Sequence, residues 1–391
     1  MRTSQEAEAA LRELPGGARV LDAAAGTPGA WVVGGAVRDA LLGREPKELD
    51  VVLAPPAGAD PAAPLEAFAA CLGVPLEPEQ TRFGTRTLAT PEGLAVDLVR
   101  ARRERYPRPG ALPEVEPADL DADLARRDVT VNAIALRPGE PLRAAPGALD
   151  DLAAGVLRIL HPRSFEDDST RLWRVARYGA RLGFVPDAAT AGLAVAAPAA
   201  SVSGPRHGNE LRRTLAEADP VGALEATQAL APQLFPAGFG VRPAADALAL
   251  LPPGEGRRGL VVLARACETV DAATLVAWLD ALAFTAAERE VVAAGSRAVT
   301  LRPLRSAGDA AAVARAARGV PLEVVALAGG AGARRWIEEL RHVRLAIDGA
   351  DLLAAGVPAG PDLGARLQRA LDARLNGDAP SREEQMRVAL G

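Results

Sequence analysis

The stretch VVGGAVRDALLGREPKELDVVL, from Val32 to Leu53, constrains this chain more than any other. An apolar run ends on two adjacent glycines, an Arg-Asp pair follows, and a Glu-x-Asp pair heads a second apolar run. Trp31, Val32 and Val33 read as a buried strand, and Val37, Leu41 and Leu42 as the apolar face of the helix that follows. Gly34-Gly35 then lies between strand and helix, where free amides and the helix dipole favour an anion such as a phosphate. Arg38, one turn in, adds a charge-assisted contact. A lone glycine pair is equally a structural turn. A dinucleotide-binding fingerprint does not fit: GGAVRDALLG is not G-x-G-x-x-G, and that motif expects one ribose-binding acid where two stand here.

Those acids, Glu48 and Asp50, are two residues apart, so on a strand their side chains share a face. Like charges side by side are costly unless a cation lies between them. Magnesium binds through one or two carboxylates plus substrate phosphates, which fits this pair beside a phosphate turn. A third acid on a neighbouring strand would complete a two-metal site. Asp97 in LAVDLV is the candidate, facing opposite to Val96 and Leu98; taken alone, it is also readable as an edge-strand acid in solvent.

At 391 residues the chain exceeds what one core supports, so two or more domains are expected. Up to about residue 140, short β-like runs (AWVVGG, LDVVLA, RFGTRTLAT, LAVDLVRA) alternate with turn residues, as in a mixed α/β domain. Beyond about 145 the sequence turns alanine- and leucine-rich with helical spacing. In GPDLGARLQRALDARLNG, Leu363, Leu367, Leu371 and Leu375 recur every four residues, Asp362 is placed to cap the start, and Asn376-Gly377 suits a left-handed stop. Ser381 and Glu384 form a capping-box pattern for a last helix. The Pro/Gly-rich stretches near 55–64 and 252–258 read as loops.

No run approaches the roughly eighteen uncharged apolar residues of a membrane span, and the start, MRTSQEAEAALREL, is polar and helix-prone without an apolar signal core. Cys71 and Cys267 fit no metal or disulfide spacing and read as buried small hydrophobes of a cytoplasmic protein. The net charge of −5 is unusual for a nucleic-acid binder, but a local basic stripe can serve where the whole does not. Lys47 is the single lysine, so nearly all positive charge is arginine, as an arginine-favouring genome would produce. Aromatic content of 3% argues against a surface that binds RNA by stacking bases.

STRLWRVARYGARLGF sets Arg171, Arg174, Arg177 and Arg181 within a sector about 120° wide on a helix. Alone, that pattern describes a solvated basic face. The preceding Asp167-Asp168 suits a helix N-terminus and can also orient an arginine. In RRDVTVN, Arg126 and Arg127 are placed to cover a helix start, with Asn132 as a cap.

GGAVRDALLGREPKELD resembles the signature of the class II nucleotidyltransferases, the tRNA CCA-adding enzymes and bacterial poly(A) polymerases. FGTRTL (from Phe83), VDLVRARRERY, GALPEV and DLARRDVTVNAIAL follow in the family's order, and SFEDDSTRLWRVARYGARLGF is similar to its nucleotide-selecting segment. The match covers residues 30–185, with a weaker one in DGADLLAAGVPAGPDLGARL. It implies an α+β chain: a polymerase-beta-type head with a small mixed sheet over 1–140, a helical neck carrying the selecting segment over 141–205, and an all-helical, tRNA-binding body and tail over 206–391. It implies CCA addition to the tRNA 3′ end from CTP and ATP, with two magnesium ions on Glu48, Asp50 and Asp97, and neither a membrane nor DNA as partner. Addition of CC only, A only or poly(A) stays open, as does, more remotely, a non-catalytic RNA- or nucleotide-binding homologue.

By the same resemblance, Asp168 and Arg171 read the Watson–Crick edge shared by cytosine and adenine. Arg126 or Arg127 contacts phosphates, Asp128 and Asn132 lie near the sugar, and Arg174 and Arg177 serve the triphosphate or internal salt bridges. SVSGPRHGNELRRTL resembles the neck motif, where Arg206 and Glu210 brace helices. One departure stands out: the family usually has Asp-x-Asp where this chain has Glu48-Leu49-Asp50. His161, His207 and His342 are the only histidines and none precedes an Asp, so the phosphohydrolase domain of some relatives is not expected. Without a Cys/His cluster or Ser-His-Asp set, the attacking group is best an RNA 3′-hydroxyl.

Overall fold

The computed structural model describes residues 1–46, 48–54, 63–76, 84–198, 201–296 and 298–391. Lys47, Phe83 and residues 55–62 of the first Pro/Gly-rich stretch lie outside them. The glycine turn emerges as the sequence dictates. β1 (Ala30–Val33) is buried along its whole length and runs through Gly34 into the helix Gly35–Leu41, which buries Val37 and Leu41. β2 (Leu49–Leu53) follows, then β3 (Arg86–Ala89) and β4 (Ala95–Arg100). The short β5 (Arg102–Arg105) and β6 (Glu114–Pro117) pair only with each other, and β7 (Ile134–Leu136) and β8 (Arg143–Ala144) finish the head.

Six strands form one mixed sheet in the order β3-β4-β2-β1-β7-β8. Only β2 and β4 are parallel; the other neighbours are antiparallel. A parallel pair needs a crossover, and the helix Ala63–Leu72 lies in it, packed against the helix Gly17–Gly26. The β5–β6 hairpin had no strand signal, because RRER and EVEP carry little β-branched character and its side chains are largely exposed.

The chain forms two compact units, one of residues 1–210 with 226–234, the other of 211–225 with 235–391. The head and the segment expected as a neck thus share one unit. In the second, every described element beyond residue 235 is helical. There the periodic leucines divide their work: Leu371 and Leu375 pack with Ala310, Val313 and Leu340, while Leu363 and Leu367 pack with Ile347, Leu352 and Val357. Gly377 closes that helix at φ 91° and Ser381 makes its capping box with Glu384. Asp362 is not the cap. Pro361 already occupies the first helical turn, and Asp362 accepts from Arg366 instead.

Cys71 is exposed rather than buried; Cys267 is buried, which pushes its thiol up to about 12. Among the described residues no helix is long and apolar enough to cross a membrane.

Candidate active site

A single row across four strands builds the centre: Val33, Asp50, Asp97 and Thr87 are successive register partners on β1, β2, β4 and β3. Register partners project from the same face, so Asp50 and Asp97 stand side by side. Both are half-buried, whereas Val51, Val96 and Leu98 are fully covered. The Thr87 hydroxyl donates to Asp97 Oδ1 at 2.6 Å and fixes that carboxylate. Glu48 is not on the strand; it occupies the bend before it and is exposed. Its charge still reaches Asp50. Burial pushes Asp50 up to about 6, with Glu48 and Asp97 adding to the rise and Arg127 and Arg174 opposing it.

Gly34 closes over this row. Its φ of 75° suits glycine, and a side chain there would meet Arg127 Nη1 at 2.8 Å and Asp50 Oδ2 at 3.5 Å. Arg127 is anchored from behind, where Nη2 donates to the buried Asp123 at 3.1 Å. Its Nε is buried without a partner. Arg126 takes the other Asp123 oxygen and Glu104. The two arginines follow the end of the helix Leu120–Ala125 rather than covering a start, and Asn132 closes a 3-10 turn rather than capping a helix.

Arg38 is only 2% exposed, which removes it from open contact with a phosphate. Its guanidinium donates to Asp39 at 2.8 Å and to Asn132 Oδ1 at 2.5 Å, and lies 5.6 Å from the centre of the Tyr178 ring. Asn132 donates on to Asp128 Oδ1 at 3.1 Å. Asp128 Oδ2 accepts from the Tyr178 hydroxyl and pairs with Arg174 at 2.8 Å. These donors, with the Arg174 and Arg171 charges, hold its carboxyl far below the usual range despite burial. Arg38, Asn132 and Asp128 therefore form a satisfied buried chain that sets the positions of their neighbours.

The arginine helix, Thr170–Leu182, is present, but its basic face is solvated only toward its end, where Arg181 is exposed. Arg171 and Arg177 are buried, and Arg177 pairs with Glu210 at 2.6 Å; Arg174 is the more open of the three. At its start, Asp168 accepts from the Thr170 amide and hydroxyl and, through Oδ2, from Arg206 at 2.7 Å. Arg171 is held separately, by Ser164 Oγ at 2.7 Å and the Arg126 carbonyl at 3.0 Å. It lines a cleft of about 790 Å³ with Tyr106, Arg126, His161 and Arg163. The residues that the sequence did not bring forward are Tyr178, His161 and Ser164. Tyr178 had one usable signal, lying one turn beyond Arg174 on the same helix face.

Residues 30–158 match the family described as the poly A polymerase head domain. Over those residues the chain is similar to that family. A CC-adding tRNA nucleotidyltransferase of Deinococcus radiodurans is 45% identical over 48% of this chain and 50% of its own length. An A-adding tRNA nucleotidyltransferase of Geobacter sulfurreducens is 31% identical over 92% of this chain and 44% of its own. The chain thus spans about half the length of these curated relatives. A CCA-adding enzyme solved in complex with CTP superposes with a TM-score of 0.74 at 25% identity, covering 100% of this chain and 97% of that one. Within this family of head domains, divalent metals are in general use. Among the described residues no three or more His, Cys, Asp or Glu side chains form a ready-made metal cage. Open carboxylates that leave places for phosphate oxygens suit magnesium better than a closed cage does.

Proposed function

We propose that this chain adds C or A nucleotides, without a template, from CTP or ATP to the 3′-hydroxyl of tRNA in the cytoplasm. The carrying observation is the Asp50–Asp97 register pair, with Glu48 beside it and Gly34 and Arg127 closing over it. Neither DNA nor a membrane is a partner in this reading.

The donors fit a hard divalent cation. They are carboxylates only, and Glu48 and Asp97 raise the proton affinity of Asp50, a repulsion that a cation relieves. Glu48, Asp50 and Asp97 would hold magnesium, two ions in the full arrangement. Bound there, it would favour ionisation of the hydroxyl and offset charge on the leaving pyrophosphate. In the transfer, the 3′-oxygen bonds to the α-phosphorus, the bond to the pyrophosphate oxygen breaks, and the hydroxyl proton passes to solvent.

The protein's own part is positioning and charge. Arg127 presents a cation beside Asp50 where the triphosphate would lie, the backbone of Gly34-Gly35 approaches it closely, and Arg174 stands open enough to assist. Arg126 supports Arg171 through its carbonyl, and Arg177 braces the helix through Glu210. Arg38, Asp128 and Asn132 hold this frame. Asp168 accepts from the base amino group, for which a carboxylate bound by Thr170 and Arg206 retains capacity, and Arg171 donates to the ring nitrogen. Cytosine and adenine share that acceptor–donor pattern.

Labelled CTP and ATP offered to tRNA transcripts ending before CCA, after C, or after CC test the reading. Two cytidines followed by one adenosine mark CCA addition, and CTP alone or ATP alone marks a specialised enzyme. A second reading, poly(A) polymerase, is favoured by the description of the head domain family; repeated ATP addition selects it. No incorporation on any transcript leaves a non-catalytic binder.

A further inference from the structure

Inside the cleft, Arg171 makes one contact that its reading of a base leaves unexplained. Its Nη1 lies 2.7 Å from Ser164 Oγ and 3.3 Å from His161 Nε2, and its Nη2 donates to the Arg126 carbonyl at 3.0 Å. A guanidinium has five N–H donors and no acceptor. His161 Nε2 must therefore accept, which assigns the imidazole as neutral, with its proton on Nδ1. Three donors are engaged by these contacts. Two remain on a side chain that lines the cleft.

We propose that His161 is a positioning residue for base selection: its neutral Nε2 turns the Arg171 guanidinium so that the two remaining N–H groups meet the base of the incoming nucleotide. The proposal rests on Arg171 as the base-reading arginine. Neither Ser164 nor the Arg126 carbonyl can titrate, so His161 is the one contact of the three that protons can switch off. The charged groups acting on it are Arg171 from the helix Thr170–Leu182, Arg163 from its own loop and Asp167 from the short helix Ser164–Asp167, while Arg103, Glu104 and Arg105 on β5, and Asp119, Asp121 and Arg126 at the helix Leu120–Ala125, line the same cleft. Burial and the Arg171 charge lower its affinity for a proton, Asp167 opposes them, and Arg163 adds to the lowering. The acceptor therefore persists at neutral pH and is lost below the ordinary histidine value of about 6.5. A protonated imidazole would set a donor against a donor and a cation against Arg171 and Arg163, and the guanidinium must then turn.

The test is incorporation of CTP, ATP, GTP and UTP on one tRNA transcript between about pH 5 and 8, by the full chain and by His161→Gln, His161→Leu and Arg171→Ala. Melting midpoints check folding. In the parent chain, KM for CTP and ATP should rise and discrimination against GTP and UTP should fall on the acid side. Glutamine keeps an acceptor that cannot titrate, so His161→Gln should retain discrimination and lose that acid-side decline. His161→Leu should lose about tenfold in discrimination at every pH, the scale of one hydrogen bond to a charged group, with kcat much less affected. Full discrimination in a folded His161→Leu chain overturns the proposal, as does an unchanged acid-side fall in discrimination in His161→Gln, a ratio from which the titration of Asp50 at about 6 cancels. Should the leucine variant not fold, the glutamine pH profile decides alone. Arg171→Ala separates the two levels: discrimination surviving there overturns the base-reading role and this proposal together, whereas discrimination lost there and kept in His161→Leu overturns His161 only.

Discussion

Arg206 donates to Asp168 Oδ2 at 2.7 Å, so the acid proposed to read the base is held from the helix Gly204–Leu215 and not by Arg171. This separates two residues that the sequence motif presents as a pair. Asp168→Ala removes the acceptor proposed for the base amino group but leaves Arg171 on Ser164 and Arg126. Discrimination against GTP and UTP should collapse by about ten- to a hundredfold, from about 1.5–3 kcal/mol for a hydrogen bond to a charged group. Arg206→Ala should give a smaller loss of the same kind, because Thr170 still holds Oδ1. Competition assays with all four nucleotides measure both; equal discrimination in Asp168→Ala and the parent chain would end the assignment.

Asp50→Ala should abolish nucleotide addition without unfolding the head. The carboxylate sits half-buried beside Asp97 with Glu48 near, and its ionisation is already opposed by burial and by both neighbours. Removing it relieves that repulsion, so the melting midpoint should hold or rise. Glu48→Asp should be tolerated, since Glu48 lies in an exposed bend with room to adjust. Turnover near that of the parent chain in Asp50→Ala would falsify the carboxylate assignment.

The centre of the site was legible because its pattern is periodic. Alternation in LAVDLV places Asp97 correctly, and the glycine pair between two apolar runs gives strand, turn and helix in order. What escaped is what periodicity does not encode. Arg38 reads as a phosphate contact from its spacing, yet Asp39, Asn132 and the Tyr178 ring occupy it, and two of these lie far along the chain. The arginine helix gives the angular sector but not the acids that bury it: Asp128 and Glu210 come from opposite sides in sequence. Arg126 and Arg127 were given the wrong end of a helix because both helix ends tolerate arginine on the surface, and only the buried Asp123 decides it.

Gly34→Ala should slow addition strongly while leaving the chain folded. Alanine at φ 75° and ψ −135°, a backbone region essentially kept for glycine, costs about 1–3 kcal/mol in strain. Its methyl group would lie 2.8 Å from Arg127 Nη1, which has to move away from Asp50. A fall in kcat/KM shared by CTP and ATP, with a melting midpoint lowered by only a few degrees, is the expected outcome. Unchanged kinetics would show that the Arg127 position does not matter to the transfer.

Binding of tRNA should weaken steeply with salt although the net charge is −5. Log affinity should fall linearly with log salt as phosphate contacts release counterions. Fluorescence titration of a tRNA transcript over a salt series reads the slope, and a flat line excludes a surface that follows the RNA backbone.

The helical second unit should carry its own acid weakness at Arg212 and Glu288. Arg212 donates to both Glu288 oxygens at 2.8 Å and its guanidinium lies 4.3 Å from the centre of the Phe284 ring. That bidentate pairing, helped by the Thr285 amide, lowers Glu288 to about 2 against burial. The unfolded chain returns it to about 4.3. Because the folded value is the lower, the pair's stabilisation is complete above the unfolded value and is lost as pH falls through the folded one. Urea midpoints should therefore drop between about pH 4.5 and 2 by more in the parent chain than in Glu288→Gln. At neutral pH the glutamine variant should already be weaker by about 1–3 kcal/mol, since one charge-assisted contact is gone. Parallel acid curves for the two chains would mean that Arg212 and Glu288 contribute no stability where they meet.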